Sequence, residues 1–285
     1  LGRQASLPPL PLAGSRPYKS CVEYVPDAGT AMPKPQEPWI GKRARIGVII
    51  PSTNIGVEYD CQRIIPPGVT WHFARFFVSQ PDLSSDNMFL AFIDAIRETI
   101  PDAMRDIMTC EPSYIMMGMS AETFWGGLEG NVEFEARLRD YIGPNMGLTS
   151  GAAALKDAID SFGAKNIAAL TPYQSVGDEQ VHRFLEESGY NVTKVVGLKC
   201  DSATSIAHTP PKEIIDTILH ELDGSNVDCI VQAGTNLSGL DIFPTLEKQL
   251  AKPIIPINVA TIWHALRAQG INDKIFGRGW LLERF

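Results

Sequence analysis

What this sequence lacks narrows it first. No apolar run approaches the roughly 18 residues of a membrane-spanning helix, and the start shows no basic flank leading into an unbroken apolar core, so a soluble protein is expected. No basic run offers phosphates a footprint, and 33 acidic against 25 basic residues leave a net charge of -8, which argues against a nucleic-acid partner. Small anionic substrates stay compatible with that charge, because a few local donors outweigh a mildly negative surface at close range. The 5 cysteines, Cys21, Cys61, Cys110, Cys200 and Cys229, form no CxxC pair and no metal-like spacing, and their number is odd. A reduced, cytoplasmic setting is the simpler expectation. The histidines His72, His182, His208, His220 and His264 are scattered without a partner at helical spacing, so no metal site is expected. No Gly-rich dinucleotide fingerprint follows a strand, no Walker-type lysine is present, and the glycines of "FWGGLEG" come after a helix start rather than before it. No cofactor is expected.

The 285 residues are enough for one large or two small domains with an ample core. Residues 1–42 carry much of the proline ("LPPLPLAGSRP", "MPKPQEPW") without sustained periodicity, as an extended arm or tail would. Such an arm would pack on a neighbouring subunit, be a leader of no consequence, or serve as a PxxP ligand. From Arg43 onward, short apolar runs ("ARIGVII", "VTWHFARFFV", "SYIMMGM", "KNIAALTPY", "NVTKVVGL", "VDCIVQAG", "KPIIPIN") alternate with helical patterns such as "NMFLAFIDAIRETIPDAMRDIM", "GAAALKDAIDSFGA", "DEQVHRFLEESG" and "PKEIIDTILHEL". That alternation predicts a parallel α/β sheet architecture.

A weak internal repeat sharpens the picture. "RARIGVIIPSTN" and "AKNIAALTPYQS" are both strand, proline and polar turn leading to a helix, and "YIMMGMS" and "CIVQAGTN" are both strand, glycine and polar turn. Two similar halves follow, with strand ends facing one another across a cleft, where open α/β sheets place their ligands. The turns nominate Ser52, Thr53 and Asn54, then Gly118, Met119 and Ser120, then Tyr173 and Gln174, and finally Gly234, Thr235 and Asn236. Gly118 ends a buried strand, where a glycine lets backbone approach a partner, and the amides behind it open a helix N-terminus suited to an anionic group.

These turns resemble the aspartate/glutamate racemase superfamily, and within it the arylmalonate decarboxylase and maleate cis-trans isomerase branch, over residues 43–285. The best segment is "GVIIPSTNIGVEYD", similar to the strand, Pro-Ser-Ser-Asn and later Glu of maleate isomerases, here ending on Asn54 and Glu58. "ALTPY" is similar to the family's segment ending in a substrate-facing tyrosine, here Tyr173, and "GLTSGAAALKDAIDSFGAKNIA" to the link between halves. The resemblance implies an α/β fold of two similar Rossmann-like halves with parallel sheets related by a pseudo-twofold. Residues 43–148 with 263–285 would form the first half and 149–262 the second. It also implies a small carboxylate substrate and a homo-oligomer. The apolar C-terminal "IFGRGWLLERF" would serve such packing or close the first half's own core.

In the family, each half offers a cysteine at the end of the second matched strand, and decarboxylases keep only the second, with glycine at the first. Here the resemblance assigns those positions to Gly118 and Gly234. A glycine neither adds to a double bond nor moves a proton. It would leave room, so a cleft widened on both sides and a substrate larger than maleate are expected. What survives is the binding half of the site: Ser120, Thr235, Asn236 and Tyr173 as charge-stabilising donors, Asn54 as a carboxylate positioner, and Met119 as an apolar wall. The competing roles are helix capping for Ser120 and Asn236 and core packing for Tyr173. Glu122, in the first turn of the following helix, either suits the helix dipole or turns into the cleft as acid or base. His208, in "DSATSIAHTPP", either touches substrate from a loop or is a surface residue, and Asp201 serves its turn. The expected activity is a cofactor-independent, decarboxylase-like lyase acting through an enolate-like state, with Glu122, Tyr173, His208 or water as proton carrier. The alternatives are a thiol-independent isomerase or hydrolase, or a non-catalytic small-acid-binding protein.

Overall fold

The computed structural model describes residues 39–79 and 82–285. The arm expected over residues 1–42 therefore lies outside the described residues, apart from its last four positions. In chain order the elements begin with β1 (Ala44–Pro51), α1 (Gly56–Arg63), β2 (Val69–Phe76), α2 (Asp86–Met108), β3 (Tyr114–Met117), α3 (Ala121–Phe124), α4 (Gly127–Ile142) and β4 (Leu148–Thr149). They continue with α5 (Gly151–Phe162), β5 (Asn166–Thr171), α6 (Ser175–Glu187), β6 (Asn191–Gly197), α7 (Ala203–Ala207) and α8 (Pro211–Thr217). The last are β7 (Cys229–Gln232), α9 (Phe243–Leu250), β8 (Ile254–Pro256), α10 (Ile257–Ala268) and α11 (Trp280–Arg284).

The strands form two 4-stranded sheets with the same order, β2-β1-β3-β4 and β6-β5-β7-β8, and every ladder is parallel. The repeat seen in the sequence is thus a repeat of topology: β1 and β5 occupy equivalent inner positions, as do β3 and β7. Each apolar run named above contains a strand, whereas the two-residue β4 is too short to leave a periodic signature. Near-continuous apolar runs are what parallel strands covered on both faces require, and β1, β3 and β7 are buried along nearly their whole length.

The helices start and stop for local reasons. Ser85 caps α2, its side chain accepting from Met88 N, and Ser150 caps α5 in the same way through Ala153 N. Gly163 ends α5 at φ 67°, a left-handed conformation that glycine adopts without strain. Along α2, Phe89, Ile93, Ile96, Ile100 and Met104 recur at helical spacing and are buried. Leu281 and Leu282 of α11 are buried and Phe285 packs edge-on against Phe162, ring centroids 4.9 Å apart, so the C-terminal segment closes this chain's own core. Phe276, on the same segment, is exposed.

Candidate functional site

The carboxyl ends of β1 and β3 meet those of β5 and β7 across a narrow cleft lined by Asn54, Met119, Ser120, Tyr173, Gly234, Thr235 and Asn236, all nominated by the sequence. Direct hydrogen bonds join the two halves here. Asn54 Nδ2 donates to Thr235 Oγ1 at 3.2 Å, and the Thr235 amide donates to Ser120 Oγ at 3.1 Å. Ser120 and Tyr173 hydroxyls lie 2.6 Å apart, and the Tyr173 O–H donates to the Ala233 carbonyl at 2.7 Å. Tyrosine has one proton, so the serine hydroxyl is the donor to Tyr173. The proton order is therefore fixed from the Thr235 amide through Ser120 and Tyr173 to Ala233.

The first turn of α1 is capped by both halves. Asn54 Oδ1 accepts from Val57 N at 3.0 Å, and Asn236 Oδ1, from the opposite half, accepts from Ile55 N and Gly56 N at 2.9 and 3.1 Å. A Cβ at Gly56 would lie 2.8 Å from the Thr235 carbonyl, so this close approach requires glycine. Capping thus does describe Asn236, but of a helix in the other half. Ser120 makes no side-chain cap of α3. Among the described residues no acceptor is found for the backbone amides of Met119, Ser120 and Asn236. These amides are among the donors left over at the two turns after β3 and β7.

The cleft also has an apolar lining that the sequence reading missed. Phe89 and Phe92 of α2, Leu83 just before it and Ile206 of α7 line the cleft. Phe89 packs edge-on against Tyr173, centroids 5.5 Å apart, and stacks on Trp125 at 6.1 Å. The aromatic pair in the first turns of α2 was the available signal, but at helical spacing it is indistinguishable from core. The segment carrying Leu83 is pinned across the cleft, Leu83 N donating to the Asp201 carbonyl at 2.7 Å.

Three sequence expectations do not survive. Gly118 lies outside the cleft lining, and a Cβ there would meet Ile50 Cγ2 at 2.5 Å; at Gly234 it would meet Pro172 Cδ at 2.5 Å. Neighbouring side chains have closed over both glycines, so neither widens the cleft. Its free volume is about 60 Å³, far below the roughly 300–1,000 Å³ of pockets for drug-sized ligands. Glu122 is buried but faces away from the cleft: Arg97 Nε and Nη2 reach it at 2.7 and 3.2 Å and Arg137 Nη2 at 3.1 Å. Burial raises its pKa, and the guanidiniums hold that rise back. His208 caps the end of α7, exposed, and is not among the lining residues.

Among the described residues no charged side chain lines the cleft, and the one titratable group there, the Tyr173 phenol, is pushed up by burial and stays protonated. Cys61 and Cys229 are buried within α1 and β7, their thiols raised well above the ordinary value by burial, and neither they nor Cys110 and Cys200 line the cleft. Cys21 lies outside the described residues. Among the described residues no three His, Cys, Asp or Glu side chains gather as a metal site would need, and no helix is long and apolar enough to cross a membrane.

Two parallel four-stranded α/β sheets whose strand ends meet at a donor-bearing cleft define the architecture, and the family follows from comparison. Residues 47–282 match the model of the family described as arylmalonate decarboxylase, and the chain belongs to that family. A maleate isomerase of Geobacillus stearothermophilus is 25% identical over 265 residues, covering 86% of this chain and 99% of that one. An arylmalonate decarboxylase of Bordetella bronchiseptica is 22% identical over 230 residues, covering 80% and 92%. Among solved structures, Nocardia farcinica maleate cis-trans isomerase with a covalently bound succinylcysteine intermediate superposes with a TM-score of 0.75 at 22% identity, covering 85% of this chain and 98% of that one.

Proposed function

We propose that the protein is a cofactor-independent lyase that decarboxylates a small substituted malonate-type acid without a thiol. The observation that carries this reading is the lining of the cleft: unpaired backbone amides and neutral polar side chains together with the apolar Leu83, Phe89, Phe92 and Ile206, and among the described residues no charged side chain. The carboxylate to be retained lies against the amides of Met119, Ser120 and Asn236, with Thr235 and Asn54 orienting it. The carboxylate to be lost faces Leu83, Phe89 and Ile206, whose apolar side chains offer its charge no hydrogen-bond donor. The carbon–carbon bond breaks, carbon dioxide leaves, and the electron pair passes into the retained carboxyl as an enolate-like dianion. Fixed donors hold that developing charge, which is the principal demand of the step. The carbon then takes its proton from water.

Glu122 and His208 have no part in this scheme, because neither reaches the cleft. Tyr173 acts as a wall and as the anchor of Ser120 rather than as a base, since its phenol keeps its proton on the Ala233 carbonyl. Maleate isomerisation by the succinylcysteine route is disfavoured, because among the described residues no cysteine lines the cleft. A substrate bearing an aryl or branched group requires the wall of Leu83 and Ile206 to move outward from its present position.

The test is turnover of phenylmalonate and alkylmalonates in deuterated water, following carbon dioxide release and deuterium at the α-carbon by NMR. Turnover that disappears in the Tyr173→Phe, Asn54→Ala double variant supports the reading, and undiminished turnover in that variant rejects it. A second reading rests on the lining, which among the described residues holds no group that titrates near neutrality: a small-acid-binding protein. Thermal stabilisation by malonates with no carbon dioxide released selects it.

A further inference from the structure

Among the described residues Asp60 is the carboxylate with no exposed surface at all, with Glu122 and Glu247 next at 1%. It lies mid-way along α1, in the first half, and among the described residues no cation forms an ion pair with it. Burial lifts its pKa to about 6, with Asp241 adding to the rise and Arg63 opposing it from a distance. A leucine would pack in that place without the desolvation penalty, so what the carboxylate touches is informative.

Both its oxygens reach out of its own half. Ser238 Oγ donates to Oδ1 at 2.7 Å, and Asn258 Nδ2, at the start of α10, donates to Oδ2 at 2.8 Å. The same Asn258 nitrogen donates to the Thr235 carbonyl at 2.9 Å. Thr235 in turn gives its amide to Ser120 and takes Asn54 on its hydroxyl. The turn after β7 is therefore gripped at both ends, at Ser238 directly and at Thr235 through Asn258. The grip comes from a helix of the opposite half.

We propose that Asp60 is a positioning residue: its carboxylate holds the 234–238 turn in the orientation that presents the Thr235 side chain and the Asn236 amide to a ligand carboxylate. The ligand part rests on the cleft reading above; the grip on the turn does not. Geometry explains why a polar group is retained there. An apolar residue fills the volume but leaves Ser238 Oγ without its acceptor and Asn258 Nδ2 with the Thr235 carbonyl alone, so the turn loses its direct hold at Ser238 and the anchor that aims Asn258, while the bonds to Ser120, Asn54 and the Asn236 side chain remain. An asparagine at 60 keeps the grip, its carbonyl accepting from Asn258 and its amide donating to the Ser238 oxygen.

The experiment compares wild type, Asp60→Leu and Asp60→Asn by hydrogen–deuterium exchange mass spectrometry, reading the peptide over 233–240 against peptides from β1 and α5. Asp60→Leu is expected to speed exchange in the turn at least tenfold while leaving β1 and α5 unchanged, and Asp60→Asn to stay within threefold of wild type. Turn exchange in Asp60→Leu equal to wild type overturns the proposal, as does an Asp60→Asn variant as loose as Asp60→Leu. Should Asp60→Leu fail to fold, Ser238→Ala and Asn258→Ala remove the two ends separately; each is expected to loosen the turn, and a turn unchanged in both overturns the proposal. Calorimetric titration with mandelate, which stays ionised near neutral pH, reads the ligand part. At least tenfold weaker binding in Asp60→Leu with near-normal binding in Asp60→Asn supports it, and equal affinity in all three overturns it. A wild type that does not bind mandelate while the exchange results hold counts against the ligand part alone.

Discussion

The hydroxyls of Ser120 and Tyr173, one from each half of the molecule, lie 2.6 Å apart in a buried setting. Each is also committed elsewhere, Tyr173 to the Ala233 carbonyl and Ser120 to the Thr235 amide. Tyr173→Phe strands Ser120 and the Ala233 carbonyl in a site with little room for water. A loss of about 1–3 kcal/mol is expected, the usual cost of leaving buried polar groups unpaired. Urea denaturation measures it, and a change below a few tenths of a kcal/mol would show that the bridge contributes nothing to holding the halves together.

Restoring a thiol at either glycine should fail. At Gly118 a new Cβ meets Ile50 Cγ2 at 2.5 Å and Val57 Cγ1 at 3.0 Å, and at Gly234 it meets the Pro172 ring at 2.5 and 2.6 Å. Proline cannot rotate away, and Ile50 is fully buried. Gly118→Cys and Gly234→Cys are each expected to lose about 1–3 kcal/mol, the ordinary cost of overpacking a filled core. Neither is expected to gain maleate isomerisation. A stable Gly234→Cys variant that isomerises maleate would contradict the packing described here.

Much of this was legible in the sequence because the signals were local. Apolar runs ending in Pro51, Gly118, Pro172 and Gly234 marked strand ends, and two matched pairs of them implied two halves. The polar turns then converged because parallel strands put their carboxyl ends on one side. What stayed hidden depends on partners distant in the chain. The direction of Glu122 is set by Arg97 of α2 and Arg137 of α4, which no local pattern around "MSAETF" reveals. The filling of both glycine positions depends on rotamers of Ile50 and Val57 and on the Pro172 ring. Phe89 and Phe92 read as core because a cleft wall and a core face share one helical period.

The orientation of Glu122 makes a sharp expectation. Glu122→Gln removes the charge that Arg97 and Arg137 share, and these arginines are 38% and 51% exposed. Water compensates them in part, so a loss on the order of 1–2 kcal/mol is expected in denaturation. Turnover or ligand affinity, whichever the protein shows, should stay within about twofold, because the side chain is held away from the cleft. A variant of normal stability that has lost activity would return Glu122 to the chemistry.

A different carboxylate should govern how stability responds to pH. Glu247 of α9 is buried, accepts the Ile254 amide on Oε1 at 3.1 Å and the Trp280 amide on Oε2 at 2.9 Å, and so ties β8 to α11. Burial lifts its pKa from 4.5 to about 7 against the pull of those two amides, with Glu283 adding to the rise and Arg284 opposing it. Between pH 4.5 and 7 the native state keeps a proton that the unfolded chain has released. The contribution of this group to stability therefore falls as pH rises through that window and levels off above it. The full effect is about 3 kcal/mol for a shift of this size. Glu247→Gln has no proton to exchange, so the stability of the variant minus that of wild type should rise by that amount from pH 4.5 to 7.5. Urea midpoints at the two pH values give the difference directly. A difference that stays flat, or falls, would mean that Glu247 titrates at its ordinary value and that the two amides, not burial, dominate its surroundings.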